Sequence, residues 1–187
     1  QQTEAGQGVR SVRTYQDLLK NEHDARLFEY YLQAQPVRVA INGESRPLGM
    51  QGIYLGLSSS PDGNYLLGQR VERPFSYAVP VSRFPRRIEV LDAQGRVAHT
   101  VAKLPLVEGL PTGNDAVPTG VRSIGWRADA PATLVWAEAQ DGGDPAREAA
   151  IRDAVLVQAA PFDRPPATLA RLGSRYAGIT WGRGDVA

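Results

Sequence analysis

Leu57-Ser-Ser-Ser-Pro-Asp62-Gly63-Asn-Tyr-Leu-Leu67 reads as strand, turn and strand, and the same plan returns twice further along the chain. Its echoes are Ile124-Gly-Trp126-Arg-Ala-Asp129-Ala-Pro-Ala-Thr-Leu134 and Ile179-Thr-Trp181-Gly-Arg-Gly-Asp185. The turn aspartates Asp62, Asp129 and Asp185 are separated by 67 and then 56 residues. A β-unit repeated at such a spacing cannot bury both faces of its own sheet, so neighbours must stack on it as blades do in a β-propeller. The expected fold is all-β with a short helical N-terminal lead: a partial propeller of about two and a half four-stranded antiparallel blades. So few blades do not close a ring, and the chain is expected to belong to a longer polypeptide.

The rest of the chain extends this plan in both directions. Between Tyr15 and Leu32, apolar residues fall at Tyr15, Leu18, Leu19, Leu27, Phe28, Tyr31 and Leu32, a helical rhythm interrupted near Asn21. Residues 1–35 thus form a tail and helical lead, and residues 36–187 the incomplete propeller. Val37-Arg-Val39-Ala-Ile41 alternates like a strand, and Asn42-Gly43 supplies a tight hairpin turn. The first full blade takes residues 52–57, the Ser60-Pro-Asp-Gly63 turn, residues 64–73, and a hairpin of 87–91 with 96–101 around Asp92-Ala-Gln-Gly95. The second takes residues 121–126, 132–138, 154–157 and 167–172, and residues 176–181 begin a third. The hairpin of residues 37–48 would then complete a blade whose inner strands come from a distant part of the chain. The competing fold is a self-contained β-sandwich of about nine or ten strands. An unfinished last hairpin at Arg183-Gly-Asp185 argues against it, since an open border strand leaves backbone donors and acceptors unpaired.

Composition removes several function classes. Of 187 residues, 42% are hydrophobic and 22% charged, the balance of a folded globular chain. Nineteen glycines and 14 prolines exceed the ~12% combined share usual in soluble proteins and favour short strands and turns over long helices. A net charge of +1 carries no electrostatic footprint for nucleic acid. Without cysteine there is no disulfide, thiolate nucleophile or cysteine-based zinc site. No apolar run reaches the ~18 residues of a membrane span. The opening Gln1-Gln-Thr-Glu-Ala-Gly-Gln-Gly8 reads equally as the remnant of a trimmed export signal or as a frayed tail.

The chemistry-bearing motifs are few. A serine hydrolase places its nucleophile in Gly-x-Ser-x-Gly, and no stretch matches: Gly56-Leu-Ser58 lacks the closing glycine. His23 and His99 have no motif linking them to a serine, so no catalytic residue is assigned and the chain by itself is expected to be inactive. Asp141, Asp144, Glu148 and Asp153 are an acidic patch without the ligand ladder of a calcium loop, and Asp141-Gly-Gly-Asp-Pro145 reads as a turn, so no metal or cofactor is expected. Trp126 and Trp181 recur at equivalent strand positions and are expected to pack blades.

Several strings resemble a known family. Arg73-Pro-Phe-Ser-Tyr77, Val79-Pro80, Ser82-Arg-Phe-Pro-Arg86 and Asp115-Ala-Val-Pro-Thr-Gly120 are among them. The longest runs from Trp126-Arg-Ala-Asp-Ala-Pro-Ala-Thr-Leu134 to Glu138-Ala-Gln-Asp-Gly-Gly-Asp-Pro145. Together they resemble the N-terminal propeller of glutamyl endopeptidase-type serine peptidases of the prolyl oligopeptidase family. The resemblance implies a partner α/β-hydrolase domain with a Ser, His and Asp triad, peptide substrates cleaved after Glu or Asp, and no cofactor. It further implies that this portion gates substrates, and a periplasmic or secreted location is expected. The alternative is a self-contained, non-catalytic module that binds peptides or proteins.

One cluster suits acidic peptides. Arg70, Arg73, Arg83, Arg86 and Arg87 fall within 18 residues opposed only by Glu72, a local charge of +4. Guanidinium groups bind carboxylates through paired hydrogen bonds, so these five arginines are candidate substrate-binding residues. The competing reading makes them ion pairs between blades or domains, with Phe75, Tyr77 and Phe84 beneath their stems. A chain with open strand borders is also expected to self-associate.

Overall fold

The computed structural model describes residues 15–111 and 113–182. The tail Gln1–Gly8 and the turn expected at Arg183–Asp185 lie outside them. One helix, α1 (Glu22–Leu32), precedes ten strands: β1 (Val37–Val39), β2 (Ser45–Pro47), β3 (Ile53–Ser59), β4 (Leu66–Val71), β5 (Arg86–Leu91), β6 (Val97–Leu104), β7 (Arg122–Trp126), β8 (Thr133–Ala139), β9 (Asp153–Ala159) and β10 (Ala167–Leu172). The helix occupies only the second half of the expected 15–32 stretch. Asn21 starts it, its side chain accepting a hydrogen bond from the Asp24 N–H at 3.0 Å, and the preceding Leu19 packs without being helical.

Every strand from β3 to β10 falls where the repeat placed one, and the pairing is that of two consecutive meanders. One antiparallel sheet runs β3-β4-β5-β6, the other β7-β8-β9-β10, and β1 with β2 makes a separate ribbon. Each sheet takes four successive strands, joined by tight turns at β3–β4, β5–β6 and β7–β8 and by longer loops at β4–β5 (72–85) and β8–β9 (140–152). In the β3–β4 turn, Ser60 Oγ donates to Asp62 Oδ1 at 2.6 Å, Gly63 N–H donates to Ser60 O at 2.9 Å, and Gly63 has φ +72. The sheets meet through equivalent turns: Asp62 N–H donates to Pro131 O at 3.0 Å.

Between the sheets lies the main core. Leu67, Ile88 and Val90 of the first sheet share a cluster with Leu134 and Trp136 of the second and with Val121 and Phe162 from the segments flanking its strands. Ile88 with Val90, and Leu134 with Trp136, are two residues apart and so share a face, as the strand period demands. On the opposite face of β8, Val135 and Ala137 are also buried, so this strand is covered on both sides. A second cluster of Ile53, Val71, Val79 and Phe84 receives Tyr15, Leu19 and Phe28, which docks the helical lead on the end of the first sheet. Phe28 meets Phe75 edge-on at 5.1 Å, and Phe75 stacks on Phe84 at 5.5 Å.

Three expectations need adjustment. Residues 176–181 form no strand among the described residues, because Arg175 and Tyr176 are drawn into a polar network described below. Trp126 and Trp181 are not equivalent: Trp126 Nε1 donates to Ser58 O across the sheets at 2.9 Å, whereas the Trp181 ring lies under the Arg127 guanidinium at 4.1 Å. No closed ring is present among the described residues, whose regular structure is two sheets, a ribbon and a helix with its lead.

Candidate functional site

The five arginines singled out from the sequence sort into two groups. Register puts Arg70 of β4 directly opposite Arg87 of β5, a like-charge pairing that destabilises a sheet unless carboxylates intervene. Two do. Arg87 Nε donates to Glu72 Oε1 at 2.8 Å and Arg70 Nη2 to the same oxygen at 3.3 Å, while Glu89 lies 3.9 Å from each guanidinium. The hydrogen bond to Glu72 holds Arg87 above its ordinary pKa despite partial burial. Arg73 reaches across to α1, where Nη2 and Nε donate to Glu29 at 2.6 and 3.3 Å, and its guanidinium covers the Phe75 ring at 4.7 Å. These three are matched by carboxylates.

Arg83 and Arg86 are different. Arg83 closes a single 3-10 turn (Val81–Arg83) and its guanidinium sits over the Tyr15 ring at 5.2 Å. Arg86, the first residue of β5, donates from Nη1 to Ser82 O at 2.9 Å, and its Nε is buried with no acceptor among the described residues. Burial pulls the Arg86 pKa down. No ion pair joins either side chain to a carboxylate among the described residues.

A second charged cluster escaped the sequence reading. Asp141 and Asp153, assigned to a turn and an acidic patch, have side chains that are 0% exposed and are bound by three arginines. Arg175 Nη1 and Nη2 donate to the two oxygens of Asp141 at 2.8 and 2.7 Å, and Nη1 also to Asp153 Oδ1 at 3.1 Å. Arg152 adds 3.1 Å to Asp141, Arg122 adds 2.6 Å to Asp153, and the Tyr176 N–H closes on Asp153 Oδ2 at 2.7 Å. Burial pushes both carboxyls up, but the hydrogen bonds and arginine charges outweigh it and hold them below the usual range. The turn itself participates: Gly143 N–H donates to Asp141 Oδ1 at 2.9 Å. A run of Asp-Gly-Gly-Asp carries no sign of arginines up to 34 residues away. Arg175 also donates from Nε to Asp115 O at 2.8 Å, so the network ties the segment after β10 to the loop before β7 and the β8–β9 connection.

Among the described residues no hydrogen bond joins His23 or His99 to a serine, and the hydroxyls of Ser60 and Ser76 donate to Asp62 and Glu108 at 2.6 Å. Ser58 is an exposed residue of β3, His23 is exposed on α1, and His99 of β6 stacks on Phe162 at 5.4 Å. Among the described residues no three His, Asp or Glu side chains are grouped to hold a metal ion.

Comparison with known proteins places this architecture in context. The chain is 45% identical over 175 residues, 92% of its length, to a protein of Arabidopsis thaliana named probable glutamyl endopeptidase, chloroplastic. It is 43% identical over 175 residues to the protein of the same name from Oryza sativa subsp. japonica. No protein-family model and no solved structure matches. Both relatives are named chloroplastic, which overturns the expectation of a periplasmic or secreted location. The chain spans only 18% and 19% of these two curated relatives. Over nearly all of its own length it is therefore similar to a segment of proteins named glutamyl endopeptidase, and that likeness supports the glutamyl endopeptidase name for the segment.

Proposed function

We propose that the chain is the propeller portion of a serine endopeptidase of the glutamyl endopeptidase type, a member of the prolyl oligopeptidase family that cleaves peptides after Glu or Asp. The reading rests chiefly on 45% identity across 92% of the chain to less than a fifth of a relative bearing that name. Two consecutive four-stranded meanders sharing one core are in keeping with adjacent blades. On this reading the nucleophile, base and oxyanion hole lie in an α/β-hydrolase domain outside these 187 residues. The propeller's part is to admit peptides and hold back folded proteins.

The test begins with the reading frame beyond codon 187. It should encode a domain with a Gly-x-Ser-x-Gly elbow, and the extended protein should react with a fluorophosphonate and cleave a peptide after Glu. The 187-residue chain alone should do neither. An extended protein that leaves Glu and Asp bonds intact while cleaving elsewhere would reject the substrate class. A frame without a hydrolase domain would reject the peptidase itself.

A further inference from the structure

We propose that Asn42, Gly43 and Glu44, at the tip of the β1–β2 ribbon, form a self-modifying site at which Asn42 loses its side-chain amide and becomes aspartate or isoaspartate. The tip stands clear of the rest of the fold. Residues 37–47 are exposed throughout, and a Cβ at Gly43 would meet nothing within 4 Å. Behind the tip the ribbon holds itself by only three residue pairs, Val37 with Pro47, Arg38 with Arg46 and Val39 with Ser45. So short an isolated ribbon opens readily.

The chemistry needs a backbone nitrogen to reach the Asn42 side-chain carbon. Gly43 N bonds to Cγ, the Cγ–Nδ2 bond breaks, and Nδ2 leaves as ammonia with the proton that Gly43 N gives up. Water then opens the five-membered imide at one of its two carbonyls, which yields aspartate or isoaspartate. Glycine favours the attack because no side chain crowds its nitrogen. The turn adds an electrophilic aid: the Glu44 N–H donates to Asn42 Oδ1 at 3.1 Å and so faces the oxygen on which negative charge develops as Cγ is attacked. Gly43 N–H donates to Ala40 O at 2.9 Å, and this bond must be released first, which the short ribbon allows. The other asparagines lack this arrangement. Asn21, Asn64 and Asn114 precede Glu22, Tyr65 and Asp115, each with a side chain beside the attacking nitrogen. Asn21 is also fixed as the cap of α1, and the Nδ2 of Asn64 is held by Asp62 Oδ2 at 2.9 Å. Either product at position 42 adds a negative charge to a ribbon whose Arg38 and Arg46 stand directly opposite each other, and isoaspartate lengthens the turn by a backbone carbon.

Incubation of the 187-residue chain at neutral pH and body temperature, followed by fragmentation of its peptides in a mass spectrometer, tests this. The mass change of an amide turned into an acid is expected at Asn42 well before it is seen at Asn21, Asn64 or Asn114, with isoaspartate identified by methyl transfer from an isoaspartyl methyltransferase. Asn42→Gln should suppress the change, because glutamine would have to close a six-membered ring. Glu44→Pro, which removes the N–H facing Oδ1, should slow conversion about tenfold, less than for an enclosed oxyanion donor because this one lies in water. Glu44→Ala keeps the N–H and should leave the rate unchanged. Position 44 lies outside both core clusters, so tryptophan fluorescence should show each Glu44 variant folded. Earlier conversion at another asparagine, a Glu44→Pro chain that converts as fast as the original, or a Glu44→Ala chain that slows as much as Glu44→Pro would overturn the site.

Discussion

Replacing Arg175 by Met should unfold the protein more readily than the loss of any exposed ion pair, because it strips a shared cation from two fully buried carboxylates. Arg175 supplies five hydrogen bonds of 2.7 to 3.1 Å, three to Asp141 and Asp153 and two to the carbonyls of Arg152 and Asp115. Breaking a buried pair from one side costs about 3–5 kcal/mol, since a charge is left without its counter-ion. Here Arg152 still faces Asp141 and Arg122 still faces Asp153, which places the expected loss at the lower end, about 3 kcal/mol. With a urea dependence of ~2 kcal/mol per molar for a chain of this size, the midpoint should fall by about 1.5 M. Tryptophan fluorescence reports it, since Trp136 is buried between the sheets. Arg26→Met, which removes an exposed pair with Glu22 on α1, is the control and should leave the midpoint unchanged. The effect must also depend on pH. The folded-state pKa values of Asp141 and Asp153 lie below their unfolded ones, so the stability they contribute is complete above about pH 4 and lost as pH falls through the folded values. The gap between wild type and Arg175→Met should therefore narrow from pH 7 to pH 3. A midpoint shift below about 0.5 M at pH 7, or a gap that widens in acid, would refute the assignment of stability to this network.

Further outcomes are expected elsewhere. Leu134→Ala empties the centre of the main core, where the side chain is completely buried, and should cost about 2–5 kcal/mol in the same urea assay. Gly143 and Gly63 share a left-handed backbone but not their surroundings: a Cβ at Gly143 would lie 2.0 Å from Val117 O, and one at Gly63 meets nothing within 4 Å. Gly63→Ala should thus cost only the backbone term of about 1–2 kcal/mol, while Gly143→Ala should cost clearly more, with the ranking read from the two midpoints. The outer strands β3 and β10 are largely exposed, and sedimentation of the 187-residue chain should show concentration-dependent species heavier than a monomer. A monodisperse monomer throughout would remove self-association from the account.

Strand and turn positions were legible because they depend on neighbours in the chain. Pro61 and Gly63 specify a reversal whatever lies beyond, and alternation in Ile88-Glu-Val90 specifies a strand, though folding buries both of its faces. The helix was legible as a rhythm but not in extent, since Leu19 satisfies a helical period while packing before the Asn21 cap. The fate of the arginines was not legible. Counting 18 residues showed Glu72 alone against five positive charges, whereas Glu89 stands two residues past that window on the same face of β5 as Arg87, and folding brought Glu29 from 44 positions earlier.

The amino-acid sequence by itself thus determined a run of short antiparallel strands in repeated units, with a helix ahead of them and no cysteine, nucleophile elbow or calcium-loop ladder within it. Only the tertiary structure decided which charges are spent within the fold and which remain to be met. The reason is range: turn chemistry and side-chain alternation act over two to four residues, while an ion pair forms between whatever side chains the sheets carry to within about 4 Å of each other. Asp141 and Arg175 are local in space and remote in sequence, and no pattern along the chain announces such a meeting.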